Sequence, residues 1–177
     1  FNSISLIKEN RIDLLKLLSN KINEKIQFCL NPLEINSILI YNGRTSIPSQ
    51  LPRYLKISEH LMQTLGLFQG EGSKDHPRRI EFVNSDYMII EKFLSFFEKY
   101  FSINRSKWKC RLIYSNKSKD EELENKFINS WSKKTMIPQN NFVKTKLWIG
   151  KSDVQNGSIH LYLPSSSTNL AAGAMLA

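Results

Sequence analysis

The stretch at positions 61–73, Leu-Met-Gln-Thr-Leu-Gly-Leu-Phe-Gln-Gly-Glu-Gly-Ser, constrains the fold of this chain more than any other segment. Its apolar residues predict a helix, with Ser58 as the N-cap. Yet it carries Gly66 and Gly70 four residues apart and closes on Glu71. A glycine inside a helix costs about 1 kcal/mol relative to alanine. A carboxylate at the C-terminal end faces the negative pole of the helix dipole. Residues four apart share one helix face, so the two glycines open a strip along which another backbone can pass closely. Glu71 is explained by a cation lying against it, and Gly72 by a left-handed C-cap. A tightly packed helix pair that brings a carboxylate to a metal accounts for all four residues. The competing reading packs the glycines inside the chain's own core and leaves Glu71 merely solvated.

Upstream, apolar side chains at helical spacing, among them Ile12, Leu15, Leu18, Ile22 and Ile26, predict helix across 4–30, broken at Asn31-Pro32. A second short helix is expected over 32–39, and Asn42-Gly43, Pro48 and Pro52 read as a linker. Downstream the period changes. A strand is expected at 78–84, with Ile80 and Phe82 on one face. Asp86 caps a helix to Tyr100 with Ile89, Ile90, Phe93, Phe96 and Phe97 as its stripe. A strand at 106–115 follows, then a helix at 120–134, acidic at its start and basic at its end as the dipole prefers. Strands at 142–149 and 158–163 close the pattern as a hairpin around 153–157. The fold class is α/β (α+β), an antiparallel sheet with helices on its apolar face. The glycine-bearing helix has no second copy in the chain, so its partner comes from another chain. The organisation reads as a helical extension and linker at 1–56, a main domain at 57–170 and a tail at 171–177. The opening Phe1 and the bland tail read as a fragment or a non-native terminus.

The strand at 106–115 alternates in a telling way. Arg105, Lys107, Lys109 and Arg111 fall on one side, and Trp108, Cys110, Leu112 and Tyr114 on the other. Lys144, Lys146 and Trp148 repeat the arrangement, and Ser158, His160 and Tyr162 alternate with Ile159, Leu161 and Leu163. The formal charge is +9 and the pI near 9.6. Such an excess favours a polyanion, and a sheet with one basic and one apolar face suits nucleic acid. The bland reading is a solvated sheet face. No apolar run approaches a membrane span, and no leader is visible, so an intracellular protein, cytoplasmic or organellar, is expected. Cys29 and Cys110 are too few for a disulfide framework or a zinc site. His160 reads as a face residue rather than a base, since no acid pairs with it by pattern.

The segment 67–72, Leu-Phe-Gln-Gly-Glu-Gly, resembles the signature helix of the LAGLIDADG homing endonucleases, single-motif type. Arg79-Ile80-Glu81-Phe82-Val83-Asn84-Ser85-Asp86 resembles that family's strand ending in Asn-Ser-Asp, and 157–162 with Ser165-Ser166-Ser167 resembles its closing strand and last helix. The resemblance covers roughly 58–170. It departs at Glu71, where Asp is commoner, and at Gln69, which replaces an acid.

The resemblance implies a saddle-shaped LAGLIDADG-like fold and a homodimer joined through Leu65, Gly66, Gln69 and Gly70. It implies metal-dependent cleavage of double-stranded DNA. Glu71 and the Gly70 carbonyl would hold Mg²⁺ (or Mn²⁺), with Lys144, Lys146 and Lys151 as candidates to stabilise developing charge. DNA contacts would fall to Lys74, Arg79, Arg105, Lys107, Lys109, Arg111, Lys144, Lys146, Ser158 and His160. A DNA-binding regulator without cleavage, or an RNA splicing maturase holding intron RNA, are the alternatives on this scaffold. A membrane-surface role is disfavoured, because the basic residues fall on strands.

Overall fold

In the computed structural model, the residues described are 7–8, 10–19, 26–42, 48–72, 80–116, 120–148 and 157–164. Strands β1 (Ile7–Lys8) and β2 (Arg11–Asp13) lead into a short helix α1 (Leu14–Ser19). Strands β3 (Ile26–Asn31), β4 (Glu34–Asn42), β5 (Ser49–Pro52) and β6 (Tyr54–Lys56) follow. Next come helix α2 (Glu59–Glu71), strand β7 (Ile80–Asn84), helix α3 (Tyr87–Phe101), strand β8 (Lys109–Ser115), helix α4 (Glu121–Thr135) and strands β9 (Phe142–Trp148) and β10 (Ser158–Leu163).

The N-terminal region departs from the helical expectation. Helix there is confined, among the described residues, to the six of α1, and both 26–31 and 34–42 are strand. Short apolar runs fit both periods, and β-branched Ile38 and Ile40 bury one face of β4. The expected linker forms β5 and β6 instead. In the sheet β3-β4-β5, Pro52 sits on an edge strand, where its missing N–H breaks no ladder bond. A second sheet has the order β1-β2-β6. Asp13 ties these parts together by accepting from Leu15 N at 3.0 Å and pairing with Arg53 at 3.2 Å.

Downstream the expected elements form, with shifted boundaries. Ser58 caps α2 by accepting from Leu61 N, Asp86 caps α3 and Asp120 caps α4. The third sheet has the order β7-β10-β8-β9. It is mixed rather than wholly antiparallel: β8 and β9 run parallel, joined through α4. β10 pairs with β7 and β8, so β9 and β10 are not the expected hairpin. Parallel neighbours need a crossover, and α4 supplies it.

One buried cluster runs from Leu14 and Ile38 through Phe82, Phe93 and Trp108 to Leu163. The Phe93 ring stacks on Phe82 at 4.1 Å and meets Trp108 edge-on at 5.7 Å. Among the described residues, no helix is long and apolar enough to cross a membrane.

Candidate nucleic-acid interface

The third sheet separates its side chains by strict alternation. Cys110, Leu112 and Tyr114 of β8 and Ile159, Leu161 and Leu163 of β10 are buried, while Lys109, Arg111, Ile113, Ser158, His160 and Tyr162 are half-buried on the opposite face. Register aligns the polar face into rows. Val83, His160, Arg111 and Lys144 form one row, and Glu81, Tyr162 and Lys109 another. Lys146 stands opposite Ile113 and is exposed. Burial beneath the face pushes the Cys110 thiol up to about 12, against the lowering effect of Lys109.

Two expected members of this face are elsewhere. Arg105 and Lys107 lie on a 3₁₀ turn before β8, so strand alternation does not apply to them. Arg105 is buried. It donates from Nη2 to Glu91 at 2.7 Å, from Nε to Glu98 at 3.0 Å and from Nη1 to the Thr135 carbonyl at 2.9 Å. Hydrogen bonding to Glu91 raises its pKa against the opposing effect of burial, with Glu98 reinforcing. It is a structural clasp joining α3 to the end of α4. Lys107 is exposed on the same turn.

Asn141 was not expected. It is buried and donates to the Ser106 and Trp108 carbonyls at 2.8 and 2.9 Å while accepting from Lys109 Nζ at 2.9 Å. Its amide pins the turn before β8 and steadies one cation of the face. His160 does have an acid partner: Nε2 lies 3.2 Å from Glu81 Oε2. Alternation places Glu81 opposite Ile80 and Phe82, so its face was readable, but pairing with a residue 79 positions away required the register. Arg111 keeps a buried Nε–H without a hydrogen-bond partner among the described residues. Such an atom costs roughly 1–3 kcal/mol until an acceptor meets it.

Helix α2 presents its own asymmetry. Leu61, Thr64 and Phe68 are buried and Leu65 is half-buried, whereas Met62, Gly66, Gln69, Gly70 and Glu71 are exposed. A Cβ built on Gly66 or Gly70 meets nothing within 4 Å among the described residues, so packing against the described core does not explain them. Gly72 is not left-handed, with φ −77° and ψ 140°. It is required by space, because a Cβ there would stand 2.5 Å from both the Phe68 ring and the Phe68 carbonyl oxygen.

Among the described residues, no three His, Cys, Asp or Glu side chains gather as a metal site. Among the described residues, Glu71 is an exposed carboxylate at the end of α2. Lys74, Arg79, Lys151 and Ser165-Ser166-Ser167 lie outside the described residues. A separate open cleft of ≈ 680 Å³, lined in part by Arg11, Gln50, Tyr54, Lys99 and Tyr100, lies between the N-terminal strands and the end of α3. Comparison with protein-family models, with curated proteins and with solved structures found no match.

Proposed function

We propose that this chain is a LAGLIDADG-type DNA endonuclease that cuts duplex DNA at a specific site as a homodimer. The observation that carries the reading is the exposed strip of α2, where Gly66 and Gly70 lead to exposed Glu71 with no neighbour among the described residues to explain the glycines. Two such helices crossing at their glycines would bring two Glu71 carboxylates to one two-fold axis, and a two-fold protein reads a near-palindromic target. The polar sheet face supports the same reading through Lys109, Arg111 and Lys146, which can neutralise phosphates, and Lys144 holds the register position beside Arg111. The orphaned Nε–H of Arg111 suits a phosphate or base acceptor.

Glu71 from each chain, with last-turn carbonyls such as that of Gly70, would hold Mg²⁺. Such an ion activates water and stabilises the leaving oxygen in phosphodiester hydrolysis. The chain's own contribution is to hold the strand in register on the sheet face and to keep the helix ends together.

The test incubates wild type and Glu71→Gln with a randomised duplex library, with Mg²⁺ or with EDTA, and sequences the cut ends. Cleavage by wild type alone, with Mg²⁺ alone, at a near-palindromic site is the expected result. Selective binding without cleavage replaces the proposal with a DNA-binding regulator. Preference for structured intron RNA replaces it with a maturase.

A further inference from the structure

The polar sheet face contains a carboxylate among its cations. The Glu81 side chain is only 9% exposed, and a buried carboxylate is costly unless paired. Its partner is His160, 18% exposed at the side chain, with Nε2 at 3.2 Å. An ionised carboxylate can only accept, so Nε2 carries the proton. Register surrounds the ring with charge and polarity. Arg111 is the cross-strand partner of His160, and Tyr162 stands between Glu81 and Lys109. The Tyr162 ring meets the imidazole edge-on at 6.0 Å. Among the described residues, the titratable and charged groups that register places around the ring are Glu81 from β7, Arg111 and Lys109 from β8, and Tyr162 from its own strand.

We infer that Glu81 is a positioning residue of the nucleic-acid face: its carboxylate fixes the tautomer and tilt of His160 so that the ring meets the phosphate backbone beside Arg111. This rests on the nucleic-acid reading above. Glu81 acts through His160 and touches no nucleic acid itself. Histidine changes charge between pH 5 and 8, so the protonated ring adds a cation to the face and the neutral ring adds none. A polyanion then binds more tightly as pH falls, and one added phosphate contact steepens the slope of log K against log salt by about 0.9.

The experiment measures fluorescence anisotropy of duplex DNA over a salt series at pH 6 and pH 8, with ¹⁵N NMR of the histidine rings of the free protein. Wild type should bind on the order of threefold to tenfold more tightly at pH 6, with the steeper salt slope. His160→Gln should lose this difference. Glu81→Gln should lose the fixed tautomer, reduce the pH step and raise non-specific affinity, because one negative charge leaves the face. Glu81→Asp keeps the charge one methylene short of the ring. It should lose the fixed tautomer and the pH step without gaining non-specific affinity, which separates aim from charge. Wild type that binds DNA while both Glu81 variants keep its pH profile and tautomer overturns the inference and spares the nucleic-acid reading. Wild type that binds no nucleic acid at either pH overturns both, whatever the tautomer.

Discussion

Helices α2 and α3 pack against each other, yet their sequences answer to different neighbours. α3 buries Ile90, Phe93, Leu94, Phe96, Phe97 and Phe101 and contains no glycine. α2 buries Leu61, Thr64 and Phe68 and leaves Met62, Gly66 and Gly70 exposed. From Ile90 onward the apolar stripe of α3 is buried within the chain, and only Tyr87 and Met88 of its first turn are exposed among its large apolar side chains. The glycines of α2 lower helix stability and meet no side chain among the described residues. The same contrast divides two arginines. Arg105 is enclosed by Glu91, Glu98 and the Thr135 carbonyl, whereas Arg111 faces the polar side of the sheet with an Nε–H unmet among the described residues.

Four measurements break or sharpen that contrast. The largest effect belongs to α3. Phe93→Ala should cost about 3–5 kcal/mol in urea unfolding, whereas Met62→Ala on the exposed strip of α2 should stay within about 0.5 kcal/mol. Equal losses at both sites would erase the distinction.

Next comes the arginine pair. Removing one partner of a fully buried ion pair costs about 3–5 kcal/mol, but Glu91 and Glu98 are 36% and 38% exposed and regain water. Arg105→Met should therefore cost about 2 kcal/mol, whereas Arg111→Met removes an unmet donor and should leave stability unchanged or raised by up to about 1–3 kcal/mol while weakening DNA binding. The reverse ranking would mean that Arg111 is the structural residue.

A smaller effect of opposite sign is expected at Gly66. In the isolated chain, Gly66→Ala should raise stability by up to about 1 kcal/mol, because the exposed helix gains propensity and meets no clash. Gly66→Leu should in turn shift the sedimentation profile from dimer to monomer. A profile unchanged by Leu defeats the helix-pair reading.

The last expectation is a lack of reaction. Exposed Cys29 should react with a thiol reagent at pH 8, while Cys110 stays silent until unfolding. The folded Cys110 thiol is raised from 9.0 to about 12, so the unfolded chain releases this proton first. The stability this group contributes is whole below pH 9 and is lost as pH climbs toward 12. Early labelling of both thiols would show that the β8 core opens.

Local signals were most legible from position 58 onward. Ser58, Asp86 and Asp120 are short-range caps whose hydrogen bonds reach two or three residues, so they can be read without knowing the fold. The α3 stripe and the alternation of β8 and β10 are likewise local periods. Reading failed where periods compete. Positions 26–42 fit a helix or a strand until pairing between β3 and β4 decides, and the place of β10 between β7 and β8 depends on partners far along the chain. Arg105 was misplaced for a similar reason. Strand alternation extended past Trp108 runs into a 3₁₀ turn, where a period of two no longer holds.

The sequence by itself determined the helices downstream of Ser58, the two-faced strands, the excess of positive charge and the anomaly of Gly66, Gly70 and Glu71, because each depends on neighbours within a turn or a pleat. Only the tertiary structure decided that the sheet is mixed, that Arg105 is a clasp, that Asn141 steadies Lys109, and that Glu81 and His160 meet. Those outcomes depend on strand register and on contacts between residues as many as 79 positions apart, and no local period encodes such distances.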